Sequence, residues 1–449
     1  MTVTHASSTR STTKPAAPPL TLRRIVAIWW PLAISWLLMT FEGPAHSAVV
    51  ARLPHAEANL AAWGGIVFPL LLIIEAPIIM LLTASTALSR DWASYTKLYR
   101  FMMWAGALLT GLHVLVAFTP LYDVIARTLI GAPAATIEPG RLGLRIMTPW
   151  TWAIAYRRFQ QGAMIRFEHS RAVGVGTIIR LLANASVLAL GYTLRWRGIV
   201  VASAAVATGV ITEAIYAGVR VQPIVRTQIR PAPATEEPLT FQRFSAFYMP
   251  LIFTATMNMI IQPIGSAAMS RMPQALASLA AWPIIHGLIF MMRSFGIAYN
   301  EVVVALLDEP GAFAQLRRFA RLLALITTSA LLLLLVTPLA DLWLRDVMAL
   351  PTHLLDLGRG ALWIALLMPA INVLQSWYQG MMVYTEDTRS VSASVGLYLL
   401  TISAVLGVGV VLQRLPGIAV TFIAFEIAGV IQVAWMWRRT RGIRHDLDS

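Results

Sequence analysis

The sequence predicts an all-α polytopic membrane protein: twelve transmembrane helices in two six-helix bundles related by a pseudo-two-fold axis along the membrane normal. Three observations predict it. Of the 449 residues, 57% are hydrophobic and only 12% charged, with a mean hydropathy of +0.68. A soluble chain carries about twice that charged share. The apolar residues fall in runs such as RLLALITTSALLLLLVTPLADLWL, longer than the ~20 residues a spanning helix needs. Finally, blocks of the first half return in the second at a constant offset.

Taken in order, residues 1–23 are rich in Ser, Thr, Ala and Pro. They lack an apolar core and read as a disordered cytoplasmic tail rather than a signal peptide. Twelve spans follow, at 25–51, 57–87, 98–120, 142–165, 171–193, 198–221, 242–269, 274–307, 316–343, 357–384, 389–412 and 416–438. They divide into a first six-helix lobe (24–225), a Pro- and Glu-rich cytoplasmic linker (226–241), a second lobe (242–439) and a tail (440–449). With both termini placed in the cytoplasm, the tails and inner loops hold about 23 of the 35 Lys and Arg residues and the outer loops about 10. That bias is the topology signal of a cell (inner) membrane protein. It also accounts for the +14 formal charge without nucleic acid. The loop near Tyr156–Arg171 carries much of it. There is no cysteine, which excludes disulfides and thiolate sites.

The repeat is readable by alignment. At an offset of 219, Pro31, Pro44, Ser47, Arg52 and Pro54 fall on Pro250, Pro263, Ser266, Arg271 and Pro273, and the LAAW ending at Trp63 falls on the one ending at Trp282. QGAMIRFEHSRAV from Gln161 matches QGMMVYTEDTRSV from Gln379 at 218, and GIVV from Gly198 matches GIAV from Gly417 at 219. Six spans per copy is an even number, so both copies enter the membrane in the same sense.

This repeat of six plus six helices resembles the multidrug/oligosaccharidyl-lipid/polysaccharide flippase superfamily, which includes the MATE exporters. The stretches WWPLAISW, FEGPAHSAVVARL with LAAWG, and GIAYNEVVVALLD resemble its progressive ankylosis (ANK) branch. The resemblance implies two lobes around a central cavity lined largely by helices 1, 2, 7 and 8, alternating access, and outward movement of a solute. ANK members are associated with small anions, MATE members with organic cations coupled to protons or sodium. Helix 7 here (FYMPLIFTATMNMIIQPIGSAAM) holds no carboxylate, which departs from the sodium-type MATE pattern.

A charge at the centre of a membrane helix costs roughly 2.5–3.5 kcal/mol on insertion scales, so each one kept there needs a partner or a function. Glu42 and His46 lie four apart on one helix face, with Pro44 between them inviting a bend. The pair suits a proton relay, or else Glu42 is capped near the interface. Pro263 repeats the bend. Glu75 stands mid-span without a charged neighbour, so its partner must come from another helix. The offset pairs it with the position beside Arg293, and an ion pair across the lobe seam is one reading. The other gives Arg293 to an anionic substrate. Glu301 closes the inner vestibule or snorkels to the interface. His286, Asn258 and Gln262 are candidate cavity groups. Glu42, His46, Glu75 and Glu301 are thus candidates for proton coupling or gating, and Arg293, Asn258, Gln262 and His286 for substrate binding. His113, Arg180, Glu213 and Glu426 read as hydrogen-bonding packers within a lobe, and the Gln-Gly blocks as structural.

No Walker-type glycine loop, HExxH motif or compact His/Asp/Glu cluster is present in the sequence. ATP-driven transport, a metal site, a cofactor and an intramembrane enzyme are therefore not expected. A scaffold or receptor remains as a class without flux. The expected function is a monomeric exporter of a small molecule, with protons or cations as coupling ion, a facilitative uniporter being the alternative. Organic or phosphate-bearing anions, drug-like cations and lipid-linked glycans compete as cargo. The sequence offers one clear basic cavity residue, Arg293.

Overall fold

The computed structural model describes residues 20–235, 237–385, 387–442 and 444; most of the expected N-terminal tail, Glu386 and residues 445–449 lie outside them. Twelve long helices coincide with the predicted spans. The first lobe holds α1 (Leu22–Ala51), α2 (Ala56–Leu88), α3 (Trp92–Phe118), α4 (Ala134–Arg166), α5 (Ser170–Thr193) and α6 (Gly198–Ile229). The second holds α7 (Phe241–Met269), α8 (Ala275–Leu306), α9 (Ala312–Val336), α10 (Thr352–Tyr384), α11 (Thr388–Leu412) and α12 (Gly417–Arg439). Among the described residues, eleven are apolar enough to cross a membrane by length and composition. The exception is α4, whose 33 residues include Arg141, Arg145, Arg157, Arg158 and Arg166. It spans as the buried centre of its lobe, where packing against α3, α2 and α6 replaces lipid.

The sequence repeat is a repeat of backbone and contacts. Thr21 accepts from the Arg24 amide and caps α1; its counterpart Thr240 accepts from Arg243 and caps α7. The left-handed residues recur at the offset: His55 (φ 55°) with Gln274 (φ 56°), and Arg195 (φ 54°) with Gln413 (φ 52°). Asp123 pairs with Arg141 at 2.6 Å, and Asp341 pairs with Arg359 in the other lobe. At the centre, a Cβ on Gly64 would lie 3.0 Å from Pro283. These two positions are equivalents under the offset of 219. Two symmetry mates can touch only where the axis passes between them, so α2 and α8 cross on it.

The proline pair acts unequally. At Pro263 the helix breaks, with Ile260 separating Phe241–Met259 from Ile261–Met269. Proline lacks the amide that would bind the Met259 carbonyl. By contrast, α1 runs through Pro44 without interruption. Pro44 instead packs on α8, where a Cβ on Gly287 would lie 3.0 Å from its ring.

The seam is built from exchanged contacts. On the side that carries both termini, α1 leans on the second lobe: Trp29 donates to the Phe295 carbonyl at 3.0 Å and packs edge-on against Phe319. Arg24 pairs with Glu309 at 2.7 Å. Tyr248, which the offset equates with Trp29, leans on the first lobe and donates to the Pro77 carbonyl at 2.7 Å. On the opposite side two arginines reach across. Arg52 donates to the Asp346 carbonyl at 2.5 Å. Its equivalent Arg271 donates to the carbonyls of Thr128, Leu129 and Ile130 at 2.9, 2.7 and 2.6 Å. Both satisfy carbonyls at the ends of short π-helical turns, Val124–Ile130 and Leu342–Val347.

The connection between lobes, residues 230–240, is tied down at its middle by Thr235. Burial pushes the Asp91 carboxyl up, but hydrogen bonds from Ser94 and Thr235 outweigh it and hold it well below the usual carboxylate range. A carboxylate lowered in this way contributes stability at neutral pH, and that contribution is lost only as pH falls through its folded value.

The Gln-Gly blocks have a plain steric reason. A Cβ on Gly162 would lie 2.4 Å from the Leu82 carbonyl oxygen, and one on Gly380 2.7 Å from Val303. Each glycine lets its helix touch the lobe's second helix. Gly162→Ala is therefore expected to cost about 1–3 kcal/mol, read as a lower melting temperature in detergent. Gly174→Ala in α5, which meets nothing within 4 Å, should lower it not at all.

Candidate functional site

Between the lobes lies a cavity of about 570 Å³. Its wall comes from α1, α2, α7 and α8, as the resemblance implied, and also from α4, α5, α6, α11 and α12. Seven of the eight candidate site residues line it: Glu42, His46, Glu75, Asn258, Gln262, His286 and Arg293. Glu301 is exposed, accepts a 3.2 Å hydrogen bond from Trp36 Nε1 and is not part of this wall. Helical spacing explains the α8 contribution. Trp282, His286, Phe290 and Arg293 share one face, and the His286 ring stacks between Trp282 (4.7 Å) and Phe290 (5.9 Å). Gln262 lies 3.4 Å from His286 Nε2. Asn258 turns its amide to the Thr254 carbonyl one turn back.

The glutamates are partnered otherwise than their spacing implied. His46 Nδ1 meets the carbonyl oxygen of Glu42 at 2.6 Å, not its carboxylate. The Glu42 carboxylate accepts from Arg180 at 2.7 Å and from Asn184 at 2.6 Å, both on α5. Arg180 also lies 3.3 Å from Glu213. Glu213, 1% exposed, takes Arg157 at 2.5 Å and Gln161 at 2.9 Å. Four charges therefore alternate across α1, α5, α6 and α4: Glu42, Arg180, Glu213, Arg157. Each side chain in the row is buried or nearly so, and opposite charges compensate inside the lobe. Arg180 and Glu213, expected as separate packers, form its middle. The other two expected packers do act within their lobes. His113 binds Thr151 and the Leu144 carbonyl, and Glu426 accepts from the Leu367 amide where α10 loosens.

The expected Glu75–Arg293 ion pair is not formed among the described residues. The cations that act on Glu75 are Arg158 and Arg157, from α4 of its own lobe. These two arginines were counted with the inner loop, but α4 continues as helix to Arg166 and carries them into the bundle. Arg158 and Arg293 make no hydrogen bond or ion pair among the described residues, and the Nε of Arg158 is buried without a partner. The cavity wall thus holds four arginines (157, 158, 180 and 293), not one, against two glutamates. Glu213, just behind the wall, compensates one of them, which leaves a formal excess of one positive charge. The two unpartnered guanidinium groups come from different lobes. Among the described residues no group of three or more His, Asp or Glu is placed to hold a metal ion.

The second lobe repeats two of the four positions of the charged row with amides. Arg157 and Glu213 correspond to Gln375 and Gln432, which hydrogen-bond at 2.7 Å. The same scaffold therefore accepts either pair.

No protein-family model matches the chain, and no curated protein matches it by sequence. Solved structures do. A multidrug resistance MATE family transporter of the MOP superfamily, in its inward-facing conformation, superposes with a TM-score of 0.70 at 12% identity, over 92% of this chain and 98% of that one. A MOP superfamily transporter from Pyrococcus furiosus, described by a binding pocket of reverse polarity, gives 0.63 at 16% identity, over 96% and 100%. The lipid II flippase MurJ in an inward closed conformation gives 0.61 at 13%, over 91% and 87%. The chain has the fold these membrane transporters and flippases share.

Removing one member of a buried pair leaves the other charge uncompensated, at a cost of about 3–5 kcal/mol. Glu213→Gln should lower the detergent melting temperature accordingly. Adding Arg157→Gln should recover most of the loss, because the second lobe already carries that amide pair.

Proposed function

We propose that the chain is a secondary transporter that moves a small organic or phosphate-bearing anion across the membrane by alternating access. The observation that carries this reading is a pair of arginines, Arg158 and Arg293, that face one cavity from opposite lobes and make no hydrogen bond or ion pair among the described residues. A guanidinium held within the membrane without a bonded counter-ion is costly. An anion that binds both would supply the missing charge, and the strong, bidentate geometry of guanidinium with carboxylate or phosphate favours such a cargo. Aromatic rings from Trp63, Phe68, Trp282 and Phe290 supply apolar surface beside the charges. The ANK-like stretches of the sequence support an anion as well.

Coupling belongs to the acidic groups in this reading. Glu75 is buried within reach of the Arg158 charge and makes no hydrogen bond among the described residues. Protonating it would leave Arg158 fully available to cargo, while deprotonating it would compete with cargo for the same cation. Glu42 and His46 would sense the position of α1 through Arg180. Transport runs between inward-open and outward-open states, with the lobes pivoting where α2 and α8 cross. Glu75 also supports a second reading, an organic-cation antiporter in which this carboxylate binds the cargo.

The test is flux in proteoliposomes with an imposed pH gradient, comparing labelled di- and tri-anions with a cationic dye. Anions should move and the dye should not. Arg158→Gln and Arg293→Gln should each lower anion flux at least tenfold, as loss of a charge-assisted hydrogen bond worth about 1.5–3 kcal/mol implies. Glu75→Gln should remove the dependence on the gradient while leaving downhill flux. Dye movement without anion movement would favour the second reading.

A further inference from the structure

A second cavity lies apart from the central one, on the side of the bundle that carries both termini. It measures about 620 Å³ and opens between the first turn of α11 and the last turn of α12. Asp387, Arg389 and Ser390 line it from one helix, Trp435, Arg438 and Arg439 from the other. Arg439 is held in place: its Nε donates to Ser390 Oγ at 2.9 Å and lies 3.5 Å from Asp387 Oδ2. The Asp387 carboxylate also caps α11 by accepting from the Ser390 amide. Arg389 and Arg438 are exposed and make no hydrogen bond or ion pair among the described residues. Among the described residues, three guanidinium groups therefore face one carboxylate that is already engaged.

The surroundings say what the cavity opens onto. Along α11 and α12, large apolar side chains turn outward: Leu400 is 71% exposed, Val411 81% and Val430 54%. In a bilayer this is a lipid-facing wall. Trp435 and Trp437 stand at its end, where indoles collect at the headgroup level. The first lobe does not repeat the arrangement. Arg171 and Arg220 match Arg389 and Arg439, but Val219 stands where Arg438 is and Tyr216 where Trp435 is. A basic rim needed only for topology would recur with the scaffold.

We propose that this cavity binds the headgroup phosphate of an anionic phospholipid from the leaflet on the side of the termini. Arg389 and Arg438 grip the phosphate, and the acyl chains lie on the apolar wall of α11 and α12. The planar fork of arginine matches phosphate oxygens two at a time, and basic pockets between membrane helices at this depth hold such headgroups. Free phosphate shares that chemistry, but it leaves the adjoining apolar wall without a role.

The test is native mass spectrometry of the full chain released from micelles containing equal amounts of phosphatidylglycerol and phosphatidylcholine. The wild type should retain phosphatidylglycerol in preference, and excess inorganic phosphate should not displace it. Arg389→Gln with Arg438→Gln should lower retention about 30-fold, about fivefold for each arginine near the surface. Arg171→Gln with Arg220→Gln in the first lobe should change nothing. Both target residues are exposed and unpaired among the described residues, so the exchange should leave the melting temperature unchanged; if the double variant fails to fold, Arg438→Gln alone should still cost about fivefold. Equal retention of the two lipids, no loss in the variants, or displacement by inorganic phosphate would each overturn the proposal, the last by making the site one for a free anion.

Discussion

Charge buried in a membrane must be neutralised where it stands, and the row Glu42–Arg180–Glu213–Arg157 is how the first lobe meets that demand. Its links of 2.7, 3.3 and 2.5 Å join four helices, so the lobe closes around it as one body. The cost of leaving any member alone is several kcal/mol, comparable to a large part of a protein's net stability. Once these four charges are paired off, the remaining ionic groups of the cavity stand out by contrast. Arg158 and Arg293 make no hydrogen bond or ion pair among the described residues, and Glu75 feels only the fields of Arg158 and Arg157. The functional reading rests on that remainder and not on the number of charges.

The two lobes share a scaffold and divide the chemistry. Symmetry is strict where geometry is at stake: the left-handed residues before α2 and α8, the aspartate–arginine pairs, the Gly162 and Gly380 contacts, and the Arg52 and Arg271 clasps all recur. It lapses where charge is at stake. Gln375 and Gln432 take the places of Arg157 and Glu213, and the copy of Glu42 and His46 is absent from α7. A seam whose axis passes between Gly64 and Pro283 can pivot there. The arginine clasps on one side and the crossed Trp29 and Tyr248 contacts on the other would then break and re-form in turn, because packed interfaces switch between discrete arrangements.

Much of this was legible in the sequence. Hydropathy placed all twelve helices, and one offset gave the duplication, the order of the lobes and the pairing of Pro31 to Pro54 with their copies. The cavity residues on α1, α2, α7 and α8 followed from asking which polar groups interrupt apolar runs. The partners did not follow, because a charged side chain finds its mate through the rotation and depth of a neighbouring helix, which hydropathy leaves open. Glu42 was assigned to His46 by its spacing of four, whereas α5 presents Arg180 and Asn184 at the same depth. Arg157 and Arg158 were counted with a loop because two adjacent arginines near a helix end look like a topology signal. A signal was present all the same. The offset turns Arg157 into Gln375 and Glu213 into Gln432, so two positions change together from charged to amide, as contacting positions do.

The most direct test of the central claim is equilibrium binding to the purified, detergent-solubilised chain, measured by calorimetry for a matched series of organic anions and cations at low and high salt. The account predicts that affinity rises from mono- to di-anion, weakens with added salt, and is undetectable for cations of the same size. Tight binding of a cation, with anions of every charge inert, would contradict it.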